Sequence, residues 1–416
     1  MNFRFLIDFK GNKNKQTLHI ILASFASLAS VLIRSEFFSA FVLFLSFACL
    51  ILVISSNKPL ETNKAQLIWL TIPFFIVLLG IISTDRYYKG LEFLWRSSPL
   101  LLMPFIYFKL PLTKVLKAYN FIFKYFPILT AIVFLAYVVT GVIFTTKGFG
   151  NYLYYSNFSE ISDIHTTYFG LILNISLWFV MKKKSSYSKV IYYSFFLCFF
   201  IFQLIVASKV SVLVCVVFIL FDIAISLKNN LSKALVLVLL LSASAFFVKQ
   251  FLGDRFLNQK LEEGKSLSIK QIYTNFLEND VNARVALWKS NIETLNGSKW
   301  VYGNGTNTSN ELRRKVYKMN NLNKAFEETY NAHNQFVEAL YSYGVIGLTL
   351  FILHCFMVFR LTLYTKDIKY NLIIYSSVLL YFLTESILQR TIGIVIYAFI
   401  ITYIYIQHKF LGRETK

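Results

Sequence analysis

The sequence predicts an all-α polytopic membrane protein with about twelve transmembrane helices and one large helical loop outside the membrane. Of its 416 residues, 56% are hydrophobic, whereas roughly 45–50%, glycine included, is usual for a soluble domain. Apolar runs of about 17–25 residues recur along the chain, and each is long enough to cross a hydrocarbon core. These runs should be helical because lipid offers the backbone no hydrogen-bond partners, and the alternating pattern of a barrel strand does not occur in them.

The apolar runs give the predicted spans in chain order. They lie at about 17–33, 37–56, 66–84, 91–109, 120–144, 166–182, 188–207, 209–227, 232–249, 336–360, 370–389 and 391–407. The first has a basic lead like a signal peptide, but the many spans behind it indicate an uncleaved helix. The chain is therefore expected to divide into nine helices over 1–249, a large loop over 250–335, and three helices with a tail over 336–416.

The fourth predicted span has unusual residues for a membrane helix. Pro99 and Pro104 predict a kink. The same span carries Glu92 and Arg96. An arginine within a span is either functional or structural, in the second case snorkelling to the surface or pairing with the glutamate.

The formal net charge of +21 is explained by membrane topology. Basic residues concentrate in alternate short loops, which places both termini in the cytoplasm and the large loop outside. No basic stripe or recognition motif accompanies the charge, so a nucleic-acid partner is not expected. The four cysteines lie far apart within apolar runs and look like small buried side chains rather than metal ligands or disulfides.

Two outer connections contain most of the remaining polar residues. The shorter, at about 145–165, is rich in tyrosine and asparagine and ends at His165. Its tyrosines fit either an aromatic belt at the membrane surface or a platform on which sugars stack. The longer, at about 250–335, is too long for a simple connection and is predicted to contain its own helices.

Within the long loop, apolar side chains recur at helical spacing at Val281, Val285, Trp288, Ile292 and Leu295. They predict an amphipathic helix that lies over the membrane, with Arg284 beside its apolar face. A glycine turn follows Tyr302, and a basic helix bearing Arg313 and Arg314 comes next. A cationic loop outside the membrane departs from the usual charge bias and indicates an anionic ligand.

Three side chains near the outer surface have chemistry of their own. His333 falls in the first turn of the helix that re-enters the membrane, where the helix dipole disfavours imidazolium and a free base can accept a hydroxyl proton. The alternative is an interfacial histidine without a catalytic role. Arg284, and Lys209 at the outer turn between two spans, could neutralise a diphosphate, although Lys209 is also typical of a lysine that snorkels at a helix end.

The order of these motifs resembles the signature of a known family. The motifs are Arg284, Trp288, Gly303-Asn304-Gly305, His333-Asn334-Gln335-Phe336 and Gly344-Val345-Ile346-Gly347. With about twelve spans and a large loop before the last three, the whole layout is similar to the O-antigen ligase and O-antigen polymerase superfamily. The resemblance covers most of the chain.

The resemblance implies a GT-C-like, inverting glycosyltransferase of the bacterial inner membrane that uses no cofactor. It would move a glycan from undecaprenyl diphosphate to an acceptor sugar on the periplasmic side. In that scheme His333 activates the acceptor hydroxyl and Arg284 holds the diphosphate. Lys209 stands where the family commonly has arginine, so it keeps the charge but loses the bidentate fork. The long loop has no acidic metal-binding motif, so cationic side chains would do the work of a metal.

Further candidates for substrate contact are Tyr302, Asn334, Arg313, Arg314 and His165. The first hypothesis is a ligase that attaches the glycan to lipid A core, and the alternative is a polymerase that adds it to a second lipid-linked glycan. A transporter of lipid-linked sugars is the rival class. It should show related halves and several charged residues within spans. The halves show no clear similarity, and the spans hold few charged candidates beyond Arg96, Asp222, Glu338 and Glu385.

Overall fold

The computed structural model describes residues 13–33, 36–54, 64–84, 86–147, 152, 155–227, 238, 282–306, 310–320 and 322–414. Over these residues the secondary structure is helical, with no strand. Seven of the described helices are long and apolar enough to cross a membrane, and two shorter apolar helices lie at Phe38–Ile54 and Ile368–Thr384. The prediction of an all-α polytopic membrane protein is confirmed.

The described α-helices are α1 (Lys13–Ala29), α2 (Glu36–Ile54), α3 (Lys64–Ile82), α4 (Tyr87–Arg96), α5 (Pro99–Lys109), α6 (Leu112–Thr146), α7 (Tyr155–Ser162), α8 (Thr166–Lys182), α9 (Lys189–Val206), α10 (Lys209–Ser226), α11 (Asn282–Glu293), α12 (Lys299–Tyr302), α13 (Asn310–Met319), α14 (Asn323–Glu328), α15 (Gln335–Leu363), α16 (Ile368–Thr384) and α17 (Thr391–Glu414). Short 3₁₀ turns lie at Ser30–Leu32, Lys184–Ser186 and Ile387–Gln389.

Two predicted spans differ from the observed helices. The run at 91–109 is divided between α4 and α5, rather than being one kinked helix. Pro99 is the first residue of α5 and has no backbone N–H, so it begins a new helix more readily than it continues an old one. The run at 370–389 ends as a helix at Thr384, because Glu385 is extended with φ −150°. The predicted span at 232–249 lies outside the described residues apart from Val238.

The chain forms two compact units. The first unit contains residues 1–122 and 284–416, and the second contains residues 123–283. Residues 239–281 lie outside the described part of the chain, so the predicted bounds of the large loop stay a prediction.

The core of the first unit is built around α17. From Ile394 to Ile406 every side chain on α17 is buried. A helix that is apolar on all sides is stable only when neighbours enclose it. Aromatic rings supply much of the packing: the ring centroids of Tyr119 and Tyr403 lie 4.9 Å apart.

The loop helices of the first unit have a small core of their own. Leu287 of α11, Tyr317 of α13 and Ala325 of α14 are buried together. The side chains of Phe326 and Tyr330 pack against this cluster. The prediction that the long loop contains helices therefore holds for its described residues.

The second unit is built around α8, which is buried from Thr166 to Met181. Its one buried carboxylate among the described residues, Asp222 of α10, is fully occupied. Lys184 Nζ lies 3.0 Å from Asp222 Oδ1, and the Tyr192 hydroxyl donates to the same oxygen at 2.7 Å. These contacts satisfy a charge that would otherwise be costly to bury.

A glycine turn fastens the loop helices to the membrane helices of the first unit. Asn304 N–H donates to the Tyr341 carbonyl and Gly305 N–H to the Ser342 carbonyl, both at 2.9 Å. Gly303 has φ +76°, and a Cβ there would lie 2.3 Å from the carbonyl carbon of Ser342. Only glycine allows the two backbones to approach so closely. The turn meets α15 beside Gly344, where that helix is kinked by a φ of +65°.

Candidate functional site

The candidate site is a turn at residues 331–334, immediately before α15. The turn ends in a helix cap: Asn334 Oδ1 accepts hydrogen bonds from the backbone N–H of Phe336 at 2.9 Å and of Val337 at 3.1 Å. An asparagine at this position satisfies N–H groups that have no partner within the helix. Asn334 therefore fixes where α15 begins, and His333 lies just before the helix rather than in its first turn as predicted.

His333 itself adopts a left-handed backbone conformation with φ +46°. Residues other than glycine rarely do so, and such strain persists only where the surroundings enforce it. Here the N–H of His333 donates to Asn331 Oδ1 at 2.8 Å, and the N–H of Asn334 donates to Ser386 Oγ at 3.2 Å. Side chains on both sides of the turn hold the histidine in this conformation.

The imidazole of His333 faces the carboxylate of Glu385. Nδ1 of His333 lies 2.8 Å from Glu385 Oε2, and the two side chains are 22% and 11% exposed. The donor and acceptor at this contact depend on the tautomer of His333; an ionised carboxylate only accepts hydrogen bonds, so opposite ionised Glu385 the Nδ1 atom is the donor. That arrangement selects the tautomer in which Nε2 has the free lone pair.

Arg284 of α11 reaches the same carboxylate. Its Nη1 donates to the Thr384 carbonyl at 2.7 Å, and its Nη2 lies 3.7 Å from Glu385 Oε1. The Arg284 side chain remains 37% exposed. The structure thus brings Arg284 and His333 together, with Glu385 between them.

Sequence reasoning missed Glu385 as a site residue and noted it only as a charge within an apolar run. That position was the available signal, because an ionisable residue inside a membrane span is by default a functional candidate. The 52-residue separation between His333 and Glu385 gives no local pattern from which their contact could be predicted.

The segment carrying Glu385 is bound to the turn on both sides of the acid. Asn334 Nδ2 donates to the Leu383 carbonyl at 3.1 Å, and the N–H of Leu388 donates to Gln335 Oε1 at 2.9 Å. Together with the His333 contact, these bonds fix the two segments against each other. A rigid arrangement of this kind is what a general base needs in order to meet its substrate in one geometry.

A small cleft adjoins the turn, with Ser97, Gln335 and Gln389 among its lining residues and a volume of about 20 Å³. The remaining lining side chains are mainly apolar. This volume holds about one water molecule. The cleft is therefore too small for a sugar.

Arg313 is not available to a substrate, contrary to prediction. It is 6% exposed, its Nη2 donates to Glu338 Oε1 at 2.9 Å, and its guanidinium lies 4.0 Å from the centre of the Tyr341 ring. A run of basic residues such as that of α13 does not indicate which of its members is buried. One of its positions is instead a buried ion pair.

The other candidates of the first unit have different surroundings. Arg314 Nε donates to the Phe326 carbonyl at 3.1 Å, and its guanidinium stacks on the Phe326 ring. Tyr302 ends α12 with 57% exposure. The Asn334 side chain is occupied as the cap of α15, which makes it a structural residue in this geometry.

Two predicted residues belong to the second unit. Lys209 is half-buried as the first residue of α10, after a left-handed turn at Ala207. His165 is exposed and caps α8, with its Nδ1 accepting from Thr167 N–H at 3.4 Å. Their roles in substrate binding stay predictions.

The face that α11 buries differs from the predicted one. Val285 is 47% exposed, whereas Leu287, Ser290 and Asn291 are buried. Asn291 Nδ2 donates to the Tyr317 hydroxyl at 2.9 Å. Polar contacts to α13 therefore help to decide which face of α11 is buried. The periodicity of apolar residues does not detect such contacts.

Comparison with known protein families agrees with the sequence resemblance. Residues 194–352 match the family model described as O-antigen ligase. The matched segment contains Lys209, Arg284 and His333 and ends before Glu385. The resemblance to the O-antigen ligase superfamily is confirmed, and it indicates a glycosyltransferase-like enzyme of the ligase or polymerase type. A search of curated proteins found no match.

Proposed function

We propose that this protein, whose residues 194–352 match the O-antigen ligase family model, is an inverting, GT-C-type glycosyltransferase of the bacterial inner membrane. It transfers a glycan from undecaprenyl diphosphate to a hydroxyl of lipid A core at the periplasmic surface, with both termini in the cytoplasm. The observation that carries the proposal is the 2.8 Å contact between His333 and Glu385, with Arg284 beside it. The pair supplies a base, and the arginine supplies a cation for the leaving group.

His333 acts as the general base. Its Nε2 removes the proton from the acceptor hydroxyl as the oxygen attacks the anomeric carbon of the donor. The bond between that carbon and the diphosphate oxygen breaks, and the electron pair leaves with undecaprenyl diphosphate. Attack opposite the leaving group inverts the anomeric centre. Glu385 keeps the hydrogen of the neutral imidazole on Nδ1 and stabilises the imidazolium that forms.

Arg284 stabilises the diphosphate as it departs. One nitrogen of its guanidinium is committed to the Thr384 carbonyl, and the partly exposed side chain has other N–H groups that can donate to phosphate oxygens. Preorganised cations that face developing negative charge lower the barrier without reorganising during the reaction. Lys209 is proposed as a second, monodentate cation for the same group.

The proposal is tested with purified protein in proteoliposomes that contain a fluorescent glycan on undecaprenyl diphosphate. Lipid A core is the acceptor in one sample, and a second lipid-linked glycan is the acceptor in the other. Product on lipid A core supports the ligase assignment. Product on the second lipid-linked glycan alone replaces it with the polymerase assignment.

Two histidine variants complete the test. His333→Ala should abolish product formation, because the hydroxyl loses its base. The matched control is His408→Ala, which removes a histidine near the C-terminus whose Nδ1 lies 3.4 Å from the Tyr364 carbonyl and should leave transfer intact. Absence of product with both acceptors in the unmodified protein would contradict the transferase proposal.

A further inference from the structure

Ala332, the residue before His333, is fully buried, and side chains take both of its backbone polar groups. Its N–H donates to Glu338 Oε2 at 3.0 Å, and its carbonyl accepts from Trp288 Nε1 at 2.9 Å. Buried backbone groups must be paired, and in most turns the partner is backbone or water. Here a carboxylate of α15 and an indole of α11 fix the peptide units that lead into His333.

Glu338 is in turn held by Arg313. Glu338 Oε1 accepts from Arg313 Nη2 at 2.9 Å, and the two side chains are 4% and 7% exposed. Burial acts to lower the pKa of Arg313, but the neighbouring Glu338 carboxylate acts to raise it, and the net shift is upward. The guanidinium therefore remains charged and holds the carboxylate that binds Ala332.

Fold stability alone is a weak explanation for this ion pair. Removing two charges from water is costly, and well-packed neutral side chains of similar volume often stabilise a protein equally or better. The distinctive feature of Glu338 is that one oxygen binds Arg313 and the other binds the peptide next to His333.

We infer that Glu338 is a positioning residue for His333. This inference rests on the proposed function. The hydrogen bond from Ala332 N–H to Glu338 holds the strained turn in which His333 faces Glu385. Arg313 fixes the rotamer of the Glu338 carboxylate. The two carboxylate oxygens of Glu338 bind Arg313 and the Ala332 N–H, so Glu338 acts on His333 through the backbone.

Two double variants separate positioning from the ion pair. Arg313→Met with Glu338→Gln removes both charges and keeps an oxygen that accepts from Ala332 N–H. Arg313→Met with Glu338→Met removes both charges and that oxygen. The first should keep kcat within about threefold of the unmodified protein, whereas the second should lower kcat by about 10- to 10²-fold with the donor KM unchanged.

A second measurement reports on His333 without glycan transfer. Diethylpyrocarbonate modifies histidine nitrogens, and mass spectrometry of peptides gives a separate rate for each histidine. We call Arg313→Met with Glu338→Met the Met/Met variant, and Arg313→Met with Glu338→Gln the Met/Gln variant. The modification rate of His333 should differ by at least about threefold between the Met/Met and Met/Gln variants. The modification rate of His165, which caps α8, should be the same in both. Thermal unfolding of both variants checks that they are folded.

Equal kcat values and equal His333 modification rates in the two double variants would overturn the inference. If the Met/Met variant does not fold, Glu338→Asp provides the test, because it keeps the charge beside Arg313 and withdraws the carboxylate from Ala332 by one methylene. Glu338→Asp should lower kcat and change the modification rate of His333. If both quantities stay at the values of the unmodified protein, the inference is again overturned.

The outcomes also separate this inference from the proposed function. If His333 modification follows the Ala332 hydrogen bond while His333→Ala retains transfer, the positioning stands and the catalytic role fails. If transfer requires His333 while both double variants behave alike, the catalytic role stands and the positioning fails.

Discussion

Glu385→Gln tests the contact on which the proposed chemistry depends. The carboxylate lies 2.8 Å from His333 Nδ1 and is 11% exposed, so little solvent screens the interaction. A hydrogen bond to a charged group contributes about 1.5–3 kcal/mol. If that stabilisation of the imidazolium is lost in the transition state, kcat should fall by about 10- to 10²-fold at about 1.36 kcal/mol per tenfold change.

The glutamine adds a second effect in the same direction. Its amide can present N–H to Nδ1 of His333, which would place the imidazole hydrogen on Nε2 and block the base. The test rests on kcat rather than on the donor KM, because Arg284 Nη2 lies 3.7 Å from Glu385 Oε1 and the substitution also changes the surroundings of the proposed diphosphate ligand.

The assay is steady-state transfer of the fluorescent glycan in proteoliposomes, with kcat and donor KM measured separately. The matched control is Glu293→Gln on α11, which makes the same chemical change at a half-exposed glutamate whose Oε1 lies 4.0 Å from Lys289 Nζ. It should leave kcat unchanged. If folded Glu385→Gln protein kept kcat within about threefold of the unmodified protein, the reasoning about the histidine–carboxylate pair would be refuted.

Further predictions concern the arginine and the glycine turn. Arg284→Lys keeps the charge and loses the fork, so the donor KM should rise by about tenfold with the unfolding temperature nearly unchanged, and an unaltered KM would argue against a phosphate contact. Gly303→Ala should lower the free energy of unfolding by at least about 1–3 kcal/mol in thermal unfolding, because φ is +76° and the added Cβ meets backbone at 2.3 Å. Gly297→Ala is its control, since φ there is +50° with nothing within 4 Å of the added Cβ. A loss no larger at Gly303 than at Gly297 would contradict the packing argument.

The fold class followed from the sequence because long apolar runs have only one stable form in lipid. The sequence predicts the ends of the helices less accurately than it predicts the fold class. A run such as 370–389 remains apolar in composition on both sides of Glu385, although its helix ends at Thr384. A hydropathy average over the run hides the single charge of Glu385. In the structure the helix ends before this residue, and its carboxylate contacts His333.

Within the site, the sequence predicts features that depend on neighbouring residues, but it does not predict contacts between residues far apart in the chain. The sequence indicates that a helix begins near His333, but it places His333 in the first turn, whereas Asn334 caps the helix and His333 precedes it. The partner of Arg313, by contrast, lies 25 residues away on another helix. A basic run gives no sign of which member will be buried against a glutamate, so the sequence groups Arg313 with Arg314 as a candidate for substrate contact.

A single-turnover measurement on His333→Ala shows whether His333 removes the acceptor proton. Donor is first bound to excess enzyme, its Kd is measured by fluorescence, and acceptor is then added. We predict that the transfer rate falls by about 10²- to 10⁴-fold while the donor Kd stays within about threefold. A His333→Ala protein that binds donor and transfers the glycan at the unmodified rate would contradict the account.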